Sequence, residues 1–252
     1  MARTAVPGRL SFRPQPWQVA TVTAVTTQTP SVRTLGLDVP SWPGHRAGQH
    51  LDVRLTADDG YTAERSYSIA AAADDPLAIT VERLDDGEVS PYLTEDVHAG
   101  DQLEIRGPVG GYFAWETADG GPLLLVGGGS GIVPLRAILR QREHSGSDTP
   151  VKLLYSARTP ADLIYRDELD VHHDGVEIIY TITREQPAGW TGYTRRVDGA
   201  LLAETVWPAG KTPLAFVCGP TSFVETVAGG LVALGYEPGR VKTERFGGTG
   251  GR

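Results

Sequence analysis

The sequence predicts a β plus α/β protein: an N-terminal antiparallel six-stranded β-barrel followed by a C-terminal parallel, doubly wound α/β unit. Two observations predict it. Up to about Trp115 the chain reads as short runs alternating apolar and polar residues, separated by glycine-containing turns. Beyond residue 117 the texture changes to continuously apolar runs, each followed by a helical stretch.

The barrel strands are expected at Gln18–Val25, Ser31–Leu37, His50–Leu55, Arg65–Ile69, Leu77–Arg83 and Asp101–Arg106. Pro43-Gly44, Asp59-Gly60, Asp86-Gly87 and Ala99-Gly100 punctuate them, a spacing that suits a small closed sheet. Pro91–Val97 reads as a short helix spanning the barrel's end. In the second unit Leu123–Val126 is apolar at every position, as a strand buried on both faces should be, and Pro134–Arg142 follows as a helix. The pattern recurs with strands at Val151–Tyr155, Val176–Ile182 and Leu214–Cys218 and helices near 163–170, 196–204 and 221–234. Arg240–Phe246 reads as a last strand. The expected division is an extension at 1–16, the barrel at 17–117 and the α/β unit at 118–252.

Composition narrows the function classes. The 252 residues are 40% hydrophobic and 21% charged, an ordinary globular balance, with net charge −8. Residues 1–116 hold 9 Lys+Arg against 16 Asp+Glu, and residues 117–252 hold 14 against 15, so nucleic acid is a poor partner. No run approaches the roughly 18 apolar residues of a spanning helix, and no apolar segment follows the first arginines, so a cytoplasmic protein without a membrane span is expected. One cysteine, Cys218, excludes an intrachain disulfide and cannot supply the four ligands of a plant-type iron–sulfur cluster. The six histidines show no metal-ligand spacing and read as surface or packing residues.

Four constellations carry chemistry. Arg65-Ser-Tyr-Ser68 on a strand offers an arginine and an aromatic ring on one face, which suits a flavin dinucleotide: a guanidinium for the pyrophosphate and a ring for the isoalloxazine. At Val81-Glu-Arg-Leu-Asp-Asp-Gly-Glu-Val-Ser90 a strand ends, Gly87 allows a turn and a hydroxyl precedes a helix, making a phosphate cradle. Gly127-Gly-Gly-Ser-Gly-Ile-Val-Pro134 stands between an apolar strand and a helix, where glycines let a dinucleotide's phosphates meet the backbone. It departs from the usual G-x-G-x-x-G pattern at Ile132. Cys218-Gly-Pro-Thr-Ser222 closes another strand, with Glu244-Arg-Phe246 near the terminus. Taken singly, these also fit an ordinary strand, an N-cap turn, a tight turn and a buried cysteine.

In this order the motifs resemble the ferredoxin–NADP reductase superfamily, which carries R-x-Y-S, a G-x-x-S segment, a glycine-rich nucleotide loop, C-G-P and a C-terminal acidic–aromatic pair. The match runs from about Trp17 to Phe246 and includes Gly107-Pro-Val-Gly110 at the barrel's close. The resemblance implies FAD on the barrel and a pyridine nucleotide on the α/β unit. Arg65 would bind the FAD pyrophosphate, Tyr67 would lie against the flavin, and Ser68 would hydrogen-bond near N5. Val81 and Arg83 would follow the ribityl and phosphate region, with Gly87, Glu88, Val89 and Ser90 on the phosphates. Gly129, Ser130 and Gly131 would take the nucleotide's pyrophosphate. Cys218, with Gly219 and Pro220, would touch the nicotinamide, Glu244 would sit near N5 as a polar or proton-relay group, and Phe246 would cover the flavin. The chain continues past Phe246, and Phe replaces the tyrosine that ends plant-type members. FMN in place of FAD stays open.

Coenzyme choice turns on the ribose 2′-phosphate. Ser156 and Arg158 follow one strand, Thr183 and Arg184 the next, then Arg195-Arg196, while no acidic residue follows Tyr155. NADPH is therefore expected over NADH. The implied function is an FAD-dependent reductase that takes a hydride and delivers single electrons to a separate acceptor such as a ferredoxin, flavodoxin or oxygenase component. The alternatives are a flavin or quinone reductase acting on a small diffusible molecule, and a non-enzymatic flavin-binding electron-transfer or regulatory subunit.

Overall fold

The computed structural model describes residues 15–171 and 173–246. Most of the extension expected at 1–16, the tail after Phe246, and His172 lie outside the described residues.

The first sheet contains β1 (Gln18–Thr29), β2 (Val32–Asp38), β3 (His50–Thr56), β4 (Thr62–Ser68), β5 (Ala78–Glu82) and β6 (Gln102–Val109), antiparallel in the order β4-β3-β6-β1-β2-β5. An antiparallel bridge between Ile69 and Ile79 and a bond from Ala70 N–H to the Ala78 carbonyl (2.8 Å) bring the two end strands together. The expected six-stranded barrel is what forms. Alternate positions explain why: Leu35, Leu51, Val53, Ile79, Val81 and Ile105 are fully buried inside. The polar positions between them face out, where Asp52 accepts from Arg106 and Ser66. Helix α1 (Ser90–Glu95) packs on this core through Leu93.

The second sheet is parallel, with β7 (Leu123–Gly128), β8 (Val151–Ala157), β9 (Val176–Ile182), β10 (Leu214–Pro220) and β11 (Val241–Phe246) in the order β11-β10-β7-β8-β9. Helices α2 (Ile132–His144), α3 (Arg166–Leu169), α4 (Gly199–Thr205) and α5 (Thr221–Ala233) connect the strands. The continuous apolar run proves buried on both faces. Leu123 and Leu125 join a core with α2, whereas Leu124 and Val126 join one with α4 and α5. Each fully buried leucine contributes about 1.5–3 kcal/mol over an exposed one. The strand order reverses between β7 and β10, which makes their carboxyl ends the switch point where ligands of such sheets bind.

The core on the α2 side also includes Val32, Ala47, Ala70, Phe113 and Trp115, so the barrel and the sheet share a buried layer. At the β11 edge, Tyr112 Oη donates to the Val241 carbonyl (3.3 Å) and Lys242 Nζ to the Ala114 carbonyl (3.2 Å).

Candidate functional site

β4 begins at Thr62, three residues earlier than expected, because Thr62 and Ala63 continue the pairing with β3 at Thr56 and Leu55. In that register Arg65 stands opposite Val53 and Tyr67 opposite Leu51, so both occupy one face, as the alternation requires. Tyr67 packs half-buried on the barrel core, and burial holds its phenol well above the usual tyrosine range. The exposed Arg65 guanidinium meets the Glu88 carboxylate at 3.3 Å, and Tyr61 Oη donates to the other Glu88 oxygen (2.8 Å). The loop before α1 therefore returns to the arginine of β4.

Within that loop the side chains divide differently from the expectation. Val81 and Val89 are fully buried in the barrel core, so only their backbone faces any ligand. Ser90 is the first residue of α1, with Val89 as its N-cap; its Oγ is turned inward and accepts from Leu84 N–H (3.0 Å). A Cβ on Gly87 would stand 2.9 Å from that Oγ, which is why glycine occupies the turn. Arg83 is held by Asp85 (3.0 Å) and Glu95.

At the switch point, β7 leads through a short turn at Gly129–Gly131 into α2. The three residues expected on the phosphates differ in role. Gly129 has φ +57°, which favours glycine, and an added Cβ there would meet nothing within 4 Å, so the turn faces open space. Ser130 is half-exposed beside it. Gly131 is buried, and its Cβ would lie 2.1 Å from the Cys218 carbonyl; it lets the turn close against β10. The Phe223 ring, which nothing in the sequence singled out, packs against both Gly128 and Gly219.

Cys218 pairs with Gly127 of β7 and Glu244 of β11, and Pro220 pairs with Phe246. Burial first, then the Glu244 charge, pushes the Cys218 thiol up, so it stands as a neutral thiol. Glu244 reaches the barrel: its Oε1 is 3.3 Å from His50 Nδ1, while its buried Oε2 has no hydrogen-bond partner among the described residues. His50 is the β3 residue opposite Ser68. It was expected as a surface or packing histidine, and the structure corrects that, because the start of β3 lies at the seam with β11. The Glu244 hydrogen bond raises its pKa against the opposing effect of burial.

A cleft of about 480 Å³ opens beside these strand ends. Gly129, Pro220 and Phe246 line one side, and Ser156, Arg158, Thr183 and Arg184 the other. Arg184 N–H bonds the Arg158 carbonyl at 2.9 Å, which sets the two arginines side by side. The Thr183 hydroxyl is spent on the Ala157 carbonyl (3.2 Å). Arg195 is a correction: its guanidinium pairs with Glu204 (2.5 Å) and it does not line the cleft, whereas its neighbour Arg196 does. Among the described residues no cluster of His, Cys, Asp and Glu suits a metal, and no helix is long and apolar enough to cross a membrane.

A closed antiparallel barrel joined to a doubly wound sheet, with a glycine turn and a cleft at the switch point, is the architecture of a two-unit dinucleotide-binding protein. Comparison with known proteins agrees. An oxidoreductase FAD-binding domain model matches residues 19–114 and an oxidoreductase NAD-binding domain model residues 125–229. The two domain models together make the chain a ferredoxin–NADP reductase-like FAD/NAD-binding oxidoreductase. It is 31% identical over 212 residues to the glycine betaine monooxygenase reductase subunit of Chromohalobacter salexigens, covering 81% of this chain and 56% of that one. It is 30% identical to the NADH oxidoreductase HCR of Escherichia coli, covering 87% and 65%. The chain thus spans less than two thirds of the length of these relatives. Among solved structures, the FAD/NAD-binding domain of a Vibrio cholerae nitric oxide dioxygenase shares the fold, with TM-score 0.82 and 24% identity over 94% of this chain and 100% of that one.

Proposed function

We propose that the chain is an FAD-dependent NADPH reductase that passes electrons singly to a separate redox protein. The observation that supports it is a continuous path between the two units: Ser68 opposite His50, His50 on Glu244, Glu244 beside Cys218, and Cys218 against Gly131 of the nucleotide turn. A flavin on β4 and a nicotinamide beside Cys218, with its pyrophosphate on the Gly129–Gly131 turn, would meet along it.

The donor set fits both groups. Arg65, with its exposed guanidinium, and the backbone of Gly87–Ser90 would hold the FAD phosphates, and Tyr67 would back the ring. The open Gly129 turn at the start of a 13-residue helix suits a pyrophosphate. When bound, FAD supplies the conversion of a two-electron hydride donor into single electrons. The protein's share is to orient the rings, keep Cys218 neutral beside them, and hold a carboxylate and an imidazole at the seam.

The NADPH preference is supported by Arg158, Arg184 and Arg196, which line the cleft without a carboxylate partner among the described residues. A ribose 2′-phosphate would supply one. NADH is the second reading, favoured by relatives such as HCR that are named for it. The relatives named as monooxygenase reductase subunits favour an oxygenase component as acceptor. A small diffusible flavin or quinone is the alternative.

Recording the absorbance spectrum of purified protein before and after anaerobic NADPH, then NADH, with the released flavin identified, tests all of this. NADPH should bleach the flavin band faster at equal concentration. A yellow protein that neither nucleotide bleaches points to a non-enzymatic subunit, and a colourless protein that cannot be reconstituted with FAD or FMN removes the assignment.

A further inference from the structure

α2 does more than begin at the nucleotide turn. Five residues after Gly131 it carries Arg136, only 7% exposed. Its Nη1 donates to the Ala70 carbonyl at 2.6 Å, two residues beyond the end of β4. Its Nε and Nη2 hold the Glu168 carboxylate of α3 at 2.6–2.9 Å, and Arg140 Nε donates to the same carboxylate at 2.6 Å. The guanidinium also lies 4.4 Å from the centre of the Tyr165 ring. Tyr165 takes φ +59°, in the left-handed region that non-glycine residues rarely adopt, and is buried. Its hydroxyl donates to Thr80 of β5, which is bonded in turn to Thr34 of β2.

One cationic side chain therefore ties the helix under the nucleotide turn to the backbone that follows the flavin strand, and its aromatic neighbour ties α3 to the barrel. At 1.5 Å rise per residue the turn and the tie are only about 8 Å apart along the helix. A buried ion network adds little net stability over apolar packing, whereas the rigid guanidinium fork fixes orientation.

We propose that Arg136, held by Glu168 and Tyr165, is a positioning residue that sets the nicotinamide over the flavin by locking α2 to the end of β4. The proposal rests on the hydride-transfer reading of the cleft given above. Misplacing reacting groups by about 1 Å costs up to roughly a hundredfold in rate. R136K, R136M and the milder Y165F, made in the full chain with FAD bound, test it. The expected result for Y165F is a roughly tenfold slower flavin bleaching at saturating NADPH, with FAD content retained and KM for NADPH within about twofold, and a larger loss for R136M than for R136K. Calorimetry of the same proteins should turn one unfolding transition into two in R136M, a readout independent of any turnover. If wild type bleaches and the variants bleach at its rate, the positioning role is overturned, whatever calorimetry shows. It is also overturned if the rate falls only as far as FAD content falls. If wild type does not bleach at all, the hydride reading fails, and calorimetry alone then decides whether Arg136 locks the two units: two transitions uphold the lock, one transition removes it.

Discussion

Glu244 of β11 and His50 of β3 meet across the boundary between the sheet and the barrel at 3.3 Å. Glu244 raises the pKa of His50, with Asp52 adding to the field, so the pair holds best when the imidazole is protonated. A raised folded value means that the stabilisation is fully present below the ordinary histidine pKa of about 6.5 and is lost as pH rises through the folded value. Melting temperatures of wild type and H50Q between about pH 5.5 and 8.5 should differ most at the acid end and converge at the alkaline end. A difference that does not change with pH would rule the pairing out as a source of stability.

The glycine turn predicts two contrasting variants. G131A drives a methyl to within 2.1 Å of the Cys218 carbonyl and should cost about 1–3 kcal/mol, seen as a lower melting temperature. G129A meets open space, so it should cost only about 1 kcal/mol for its positive φ, while NADP⁺ affinity falls because the methyl fills the cradle. Equal melting temperatures for the two, measured side by side, would contradict the contact.

The cleft arginines separate by neighbour. R196A and R184A should each lower the NADPH-to-NADH preference in kcat/KM by about tenfold or more, the loss of one charge-assisted bond. R195A, whose guanidinium is already engaged by Glu204, should leave the ratio within about twofold. Reversed behaviour of R195A and R196A would show that the loop after β9 places them the other way.

For the flavin half, R65A should weaken FAD binding by about tenfold or more, measured by quenching of flavin fluorescence on titration. E88Q frees the guanidinium from its carboxylate partner and should bind FAD at least as tightly as wild type. An R65A protein with unchanged FAD affinity would remove Arg65 from the cofactor site.

Much of this was legible because period and burial coincide. The alternation in His50–Leu55 and the unbroken Leu123–Val126 run describe their own environments, so strand type followed directly. The motifs at Arg65–Ser68 and Gly127–Pro134 were readable because their geometry is local. His50 and Glu244 are far apart in the chain, and no spacing rule connects a barrel strand's first residue with a sheet's edge. Arg195 and Arg196 are adjacent, and only the competition of Glu204 for one guanidinium decides which faces the cleft. The inward turn of the Ser90 hydroxyl is not readable from a hydroxyl standing before a helix, because it answers a buried need elsewhere, an acceptor for Leu84 N–H. Nothing in the Pro134–Arg142 run sets Arg136 apart from its neighbours; it is buried because the barrel's Ala70 segment covers it.

The burial of Cys218 bears on durability as well as on packing. The sequence holds one cysteine and one methionine, the latter at position 1, and the thiol is 1% exposed and neutral. Reduced flavins pass electrons to dioxygen as well as to protein acceptors, and the peroxide so formed attacks exposed thiolates first. Among the described residues this chain offers none, so reaction of a bound reduced flavin with air would consume electrons before it cost the chain a side chain.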